Sequence, residues 1–463
     1  MDEKTYKLET LTVFSPNGTS FDVAPQLLEL SIFEDIYNST VSGHVILKDG
    51  QDLFTKIPLA GFEFILVTFS KPNISINAVF SSIFRIYKVT GPAVKPSNAG
   101  FQVYSLHFCS EENVLSISTK VSKSYSGKII SDIILDILQN KLLVRDKLLI
   151  ENIELTKGRH NIIVPGMNPL TAIMWLTSRA LKVTSSGTSA SYMFYENREG
   201  FNFKSLETLF TNPSKQSYTF GSKNVESGEQ NLSDKTQNNI RTVTQYDFAS
   251  NFDILSGISS GMYSGVLKSV DLTRNRVDNT VFNYINFFNN SKHIENDSNK
   301  QFGNNGIAYP FHMNYLDRFN NSIEKNFFAS TKMYPTNRNH DTYLPISSKQ
   351  PGIIPNMVEI WMLQRTSQIN QLNYLKLKLL LPGDPTLTIG DIIQFQVPLA
   401  QSKDNQSKNI NPYHSGRYLV TAIRHLIDNH RYEMIVEATR DCLSASYPEV
   451  DDKSIVMTGI RKI

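Results

Sequence analysis

Cysteine is nearly absent: 463 residues hold two, Cys109 and Cys442. Two thiols so far apart form neither a disulfide framework nor a CxxC pair, and the expectation is two small buried side chains. An excess of one charge is missing too, since 46 Lys and Arg face 43 Asp and Glu for a formal net charge of +3. Non-specific duplex binders carry a far larger basic excess, so nucleic acid is not an obvious ligand. No uninterrupted apolar run approaches the roughly 18 residues that span a bilayer. The start, MDEKTYKLET, lacks the basic-then-apolar order of a signal peptide. These absences predict a soluble chain made and kept in a cytoplasm, unless it leaves by a route other than secretion. With 40% hydrophobic, 11% aromatic and 19% charged residues, the composition excludes disorder, collagen and coiled coil as the dominant architecture. At about 150 residues per domain the length implies roughly three domains.

Catalytic and ligand motifs are equally scarce. There is no H-E-x-x-H, no P-loop and no dinucleotide-binding glycine fingerprint. His425 and His430 flank the turn Leu426-Ile427-Asp428-Asn429 and would face each other across a hairpin, a bare cross-strand pair without a third ligand nearby. Glu111-Glu112 and Asp451-Asp452 are adjacent carboxylates; on strands such neighbours point to opposite faces, so they read as solvated charge and not as a glycosidase pair. Gly257, Gly261 and Gly265 lie among serines, which favours a loop or strand entry over a packed helix. The expectation is no catalytic residue, no cofactor and no metal.

Strand signals dominate what is there. Up to about residue 115, segments such as Phe62 to Phe69 and Val103 to Phe108 are rich in Phe, Ile, Val and Tyr, and the latter pairs with Ile83 to Val89 as a hairpin. Ile130, Ile133, Ile134, Ile137 and Leu138 then carry a helical stripe. A second helix opens at the N-cap Asn168 with Pro169 at N1 and runs to about Leu181. Tyr192 to Tyr195 and Phe201 to Phe203 form a hairpin turning at Gly200. From 216 to about 350 the chain is Asn-rich, favouring turns and long excursions. Strand signals return at Leu372 to Leu381, Ile392 to Val397, Tyr418 to Ile427 and Tyr432 to Ala438. Both ends share an order of events: Gly61-Phe62-Glu63 and Gly390-Asp391 each enter a strand that precedes a longer hairpin, as if one barrel plan were used twice.

The motifs Leu30-Ser31-Ile32-Phe33-Glu34-Asp35-Ile36, Ser42-Gly43-His44-Val45 and Leu53 to Glu63, the last with Pro58, Gly61 and Glu63, make the chain resemble the central baseplate hub protein of contractile-tailed phages. Further matching stretches carry Asn168 and Pro169, Tyr195 and Gly200, Gly261 and Asp271, Gly390 and Asp391, then Gly416, Tyr418 and His425. The stretch around 275 to 350 is the least matched. The resemblance implies a mainly β, multidomain fold with α+β insertions: two tube-like antiparallel β-barrels plus an intervening α+β module. The expected divisions are 1–115 for the first barrel, 116–215 for the α+β module, 216–360 for an Asn-rich region partly completing the second barrel, 361–445 for that barrel, and 446–463 for a docking tail containing Ile455, Val456 and Met457. It also implies a homotrimer whose six similar barrels meet a sixfold tail tube or tube-initiator protein on one side while the trimer meets the central spike on the other. Wedge proteins would surround it, DNA would only pass through its channel, no membrane would be involved, and its place would be the virion baseplate after assembly in the host cytoplasm. The competing readings are a polysaccharide-active tail enzyme of β-rich fold and a receptor-binding adhesin.

Overall fold

Alternation of inward apolar and outward polar side chains turns the first 110 residues into β1 (Lys7–Phe14), β2 (Ser20–Asp22), β3 (Leu27–Asp35), β4 (Ser42–Asp49), β5 (Phe64–Ser70), β6 (Val79–Ala93) and β7 (Gln102–Cys109). The computed structural model describes residues 6–50, 56, 59–72, 78–93, 100–184, 187–220, 241–250, 253–272, 275–295, 308, 330–336, 358–398, 410–428 and 430–445. The seven strands pair in the order β3-β4-β7-β6-β5-β1-β2. β2 leads back towards β3 and Val23 N donates to Leu11 O, so the sheet curls around Leu30, Ile32, Val45, Ile65, Phe84 and Phe108, all buried.

Helices Glu111–Ser118, Ile130–Asn140 and Pro169–Thr177 then alternate with β8 (Val121–Lys128), β9 (His160–Met167), β10 (Lys182–Thr184), β11 (Gly187–Ser189), β12 (Tyr192–Asn197) and β13 (Gly200–Ser205). The stripe Ile130, Ile133, Ile134, Ile137 and Leu138 is buried in a second core, against Ile173, Leu176, Phe194, Phe201 and Phe203. Asn168 precedes the helix at Pro169, but its side chain makes no capping bond; its Oδ1 instead accepts from Lys120 Nζ at 2.6 Å. That helix stops at Thr177, short of the expected Leu181. The hairpin β12–β13 pairs Tyr192 with Ser205 through to Asn197 with Gly200.

Next come β14 (Ser214–Phe220), β15 (Thr242–Val243) and β16 (Gln245–Ser250). β17 (Ser264–Asp271), β18 (Arg276–Asn283) and β19 (Thr331–Thr336) form a separate three-stranded sheet, and a helix follows at Val358–Leu372. β20 (Leu375–Pro382), β21 (Ile392–Gln396), β22 (Gly416–Asp428) and β23 (Tyr432–Arg440) complete the described chain. Leu372 to Tyr374 thus lie before the strand expected to start at Leu372. Gly257 falls in a short helix, Ile254–Ser260, and Gly261 closes it at φ +82°, where only glycine is unstrained.

The two ends repeat one plan strand by strand. In the first, β5 pairs with β1 and β6, β6 with β7, β7 with β4 and β4 with β3. In the second, β21 pairs with β14 and β22, β22 with β23, β23 with β20 and β20 with β16. β15 bridges β14 to the strand that continues as β16, as β2 bridges β1 to β3. Registers repeat as well: Phe64 faces Arg85 as Ile392 faces Leu419. A bulge between Ile86 and Lys88 opposite Phe108 and His107 recurs between Val420 and Ala422 opposite Ala438 and Glu437. Glu63 O accepts from Ile86 N at 3.0 Å as Asp391 O accepts from Val420 N at 2.9 Å. The two acidic residues therefore match, while Gly61 and Gly390 stand one position apart. One strand departs from the all-antiparallel expectation: β14 runs parallel to β21, where β1 is antiparallel to β5.

The barrels are joined in one sheet because β22 is long. Its start pairs with β21, and Ala422 to Asp428 pair antiparallel with Asp35 to Glu29 of β3.

Candidate functional site

The motif residues converge on buried seams between these modules, where backbone and charge leave little freedom. At the seam between barrels, Glu34 is buried; its carboxylate accepts from Thr388 Oγ1 at 2.8 Å and lies 3.6 Å from His425 Nε2. His425 Nδ1 meets Tyr432 OH at 2.8 Å, with Phe69 and Phe80 around the ring. His425 lies opposite Met434, so it does not face His430, whose backbone N–H donates to Asp428 in an exposed turn. The expected cross-strand histidine pair fails because the strands stay paired out to Ile427 and Tyr432, which places His425 in the ladder and His430 in the turn beyond it.

Between the first barrel and the α+β module, the Glu196 carboxylate accepts from Val41 N at 3.0 Å, Ser110 Oγ at 2.5 Å and Lys147 Nζ at 2.7 Å. Lys147 also reaches Glu112 at 3.1 Å. Burial pushes the Glu196 carboxyl above the usual range, against Lys147, which holds it down. Burial disfavours the Lys147 ammonium, but Glu196 and Glu112 outweigh it and leave its pKa above that of an ordinary lysine. Glu111 and Glu112 open a helix, and Glu111 pairs with Arg85 at 2.5 Å. Their reading as solvated strand charge is thus corrected: a helix N-terminus directs Glu111 at Arg85 of the first barrel and Glu112 at Lys147 of the α+β module. Beside Glu196 lies a cleft of about 340 Å³ whose lining includes Leu66, Phe84, Asp146 and Arg198.

Glycines mark close approaches at the same seams. A Cβ on Gly200, at φ +119°, would collide with the Lys147 carbonyl, and one on Gly390, at φ +87°, with the Tyr195 hydroxyl. Asp391 accepts from Lys215 Nζ at 2.7 Å and from Thr388 N at 2.9 Å, and burial raises its pKa. Gly416 lies against Glu295, whose carboxylate accepts from Arg440 Nη2 at 2.7 Å and Arg417 N at 2.9 Å; Arg440 stands over the Tyr418 ring at 5.0 Å. Gly43 packs on the Phe108 ring. Phe33 lies between His44 and Arg424 on the outer face. Asp35 accepts from Tyr37 N and Glu63 from Gly61 N, each closing a local turn. Asp271 is buried at the end of β17. Pro58, Ile455, Val456 and Met457 lie outside the described residues.

The partners Lys147, Ser110, Glu295 and Arg440 carried no sequence signal, since the ion pairs and hydrogen bonds join distant positions: Lys147 and Glu196 are separated by 49, Ser110 and Glu196 by 86, and Glu295 and Arg440 by 145. Among the described residues no group of three or more His, Cys, Asp or Glu is placed to hold a metal ion, and no described helix is long and apolar enough to cross a membrane. Cys109 and Cys442 are both free and buried.

One buried group gives a pH test. His160 is 2% exposed, and burial holds its pKa below the ordinary 6.5. A folded pKa below the unfolded one supplies stability that is present above about 6.5 and lost as pH falls through the folded value. Buried carboxyls such as Glu207 are shifted upwards and act in the opposite sense, so the readout is a difference. His160→Gln is expected to flatten the fall in melting temperature between pH 7 and 5; identical slopes would contradict this.

No family model matches the chain. A probable baseplate hub protein of Vibrio phage KVP40 is 24% identical over 433 residues, covering 90% of this chain and 90% of that protein. Among solved structures, a tail protein from Neisseria meningitidis MC58 has a TM-score of 0.51 at 8% identity, covering 94% of this chain and 97% of that one. The 43 kDa tail protein of prophage MuSo2 from Shewanella oneidensis has a TM-score of 0.51 at 7% identity, covering 94% and 99%. The two structures share the mainly β, multidomain fold, and along nearly its whole length the chain is similar to a phage baseplate hub protein.

Proposed function

We propose that the chain is a structural subunit of a phage tail baseplate hub in which three copies form a ring. The observation that carries this reading is the repeated strand plan. Two like barrels in one chain turn three copies into six similar units, which suits a sixfold tail tube or tube-initiator protein on one side and a threefold spike on the other. That plan supports divisions near 1–115, 116–215, 216–360 and 361–445, with β14 to β16, from Ser214 on, contributing to the second barrel. Residues 446–463 would dock to a neighbouring tail protein. Wedge proteins would surround the ring, in the virion baseplate after assembly in the host cytoplasm. DNA would cross the central channel without being held, in keeping with a formal net charge of only +3.

A non-enzymatic role is supported by the hub name of the relative and by carboxylates committed to structural partners, such as Glu34, Glu196 and Asp391. The test is native mass spectrometry of the full chain together with images of assembled tails. Trimers at the tube-to-spike junction are expected; a stable hexamer, or a lone copy in the assembled tail, overturns the reading. Incubation with peptidoglycan and surface polysaccharide is expected to give no turnover, and cleavage that disappears on mutating a carboxylate cluster would favour the enzyme instead.

A further inference from the structure

The outer face of the joined sheet carries a row of rings outside the seams. Phe33 on β3, His44 on β4, His107 on β7 and Tyr87 on β6 follow one another across four strands, with centroids 5.7, 5.8 and 6.3 Å apart. The cross-strand histidine pair absent at His425 and His430 is present here. His44 is the direct partner of His107 in the β4–β7 ladder, which runs from Ser42 to Asp49 without a register shift. Both rings point away from the core, between buried Gly43 and Val45 on one strand and buried Leu106 and Phe108 on the other, and both are half-buried.

The register sets how close the two side chains stand. Ser110 N donates to Val41 O at 3.0 Å, so those residues form a hydrogen-bonded pair, and alternation makes Gly43 with Phe108 the next one. His44 and His107 therefore occupy a non-hydrogen-bonded position, where Cα atoms are roughly 4.5 Å apart and side chains come closest. Their ring centroids, 5.8 Å apart, are within about 1 Å of the spacing two imidazoles take when each puts a nitrogen about 2.1 Å from one tetrahedral ion. One nitrogen of each ring is oriented by a neighbour: His107 Nε2 meets Thr90 Oγ1 at 2.5 Å, and His44 Nε2 lies 3.8 Å from the Glu29 carboxylate. Glu29 is itself fixed by Arg424 and Ser31 Oγ, each at 3.0 Å. Metal-ligating histidines are held in this way, with the second nitrogen on a carboxylate or another polar group. Burial holds both rings below the ordinary histidine pKa, with His107 and Arg424 adding to the effect on His44 against Glu29, and Lys88 adding to it on His107. Both are thus neutral at pH 7, the form that binds a metal.

We propose that His44 and His107 form a two-imidazole site for one divalent transition ion of the zinc, nickel and copper class, with water in the remaining positions. Imidazole nitrogens favour those ions over calcium and magnesium, which take oxygen ligands. Two protein ligands are fewer than a closed structural site holds, so the ion is exchangeable. Holding both rings on paired strands makes the second bond intramolecular, which lifts the affinity well above that of a lone histidine. A bound ion clamps β4 to β7 in the wall of the first barrel. The site needs only that barrel and is independent of any tail assembly.

The test is equilibrium dialysis of the full chain against Zn²⁺ at about pH 7.5. A site for one ion per chain is expected, weakened about a hundredfold by H44A and equally by H107A. H430A, which removes the histidine of the exposed turn, should leave it unchanged. A second measurement needs no variant to fold: in the wild-type chain Zn²⁺ should shield His44 and His107 from diethyl pyrocarbonate, read by peptide mass, while His430 stays reactive. Mg²⁺ in its place should shield neither. A chain that takes up no zinc, single variants that bind as the wild type does, or His44 and His107 reacting equally with and without zinc overturns the site.

Discussion

Replacing Ile134 by aspartate is expected to lower the unfolding free energy by about 4 kcal/mol or more, among the largest effects open to a single substitution. Ile134 is 0% exposed on the inner face of the helix Ile130–Asn140, amid Ile130, Ile137, Ile173 and Phe203. A carboxylate there has no cation to meet, because the ion pairs of that helix lie on its outer face, where Asp136 bonds Lys123 at 2.8 Å. The same residue changed to valine should cost only about 0.5–1.5 kcal/mol, the loss of one methylene in a close-packed core. Urea denaturation of both variants decides the matter. If Ile134→Asp melts like the wild type, the stripe faces solvent and the second core is misread.

Such a stripe is legible because it depends on local periodicity. Five apolar residues at helical spacing identify both the element and its buried face, as alternation does for β23, where Tyr432, Met434, Val436 and Ala438 are buried and Glu433, Ile435 and Glu437 half-buried. The helix Val358–Leu372 was not legible. Its sequence, VEIWMLQRTSQINQL, buries polar Ser367, Gln368 and Gln371 alongside Trp361 and Leu363, so it has no clean apolar stripe. Their donors reach distant partners: Ser367 donates to Met262 O, Gln368 to Ser189 Oγ and Gln371 to Asp441 O. The barrel repeat was half legible. The order of strands and the acidic residues Glu63 and Asp391 could be read, but the parallel setting of β14 could not, because strand direction depends on a connection that local sequence does not encode. The seams stayed hidden for the same reason. Glu34, Tyr195 and Gly390 stood out as motif residues, whereas their roles came from Thr388, His425 and the Tyr195 hydroxyl, brought in by the fold.

The largest electrostatic effect is expected at Glu196. Its carboxylate gathers the Val41 N–H and the Ser110 hydroxyl of the first barrel and the Lys147 ammonium of its own α+β module, so one buried group holds the seam through three partners. Removing it with Glu196→Ala leaves Lys147 largely buried with Glu112 alone and strands two further donors; the expected loss is about 3–5 kcal/mol. The buried pair need not itself be strongly stabilising, because desolvation offsets much of its attraction. That distinction gives the experiment its control. Adding Lys147→Met removes the orphaned ammonium, and the double variant is expected to recover at least half of the loss in a double-mutant cycle. Glu196→Gln, which keeps an acceptor for Val41 and Ser110 but loses the charge, should fall between the wild type and Glu196→Ala. A Glu196→Ala protein as stable as the wild type would mean the seam is held by the apolar contacts around it. A double variant no more stable than Glu196→Ala would place the loss in the Val41 and Ser110 bonds and not in the uncompensated charge.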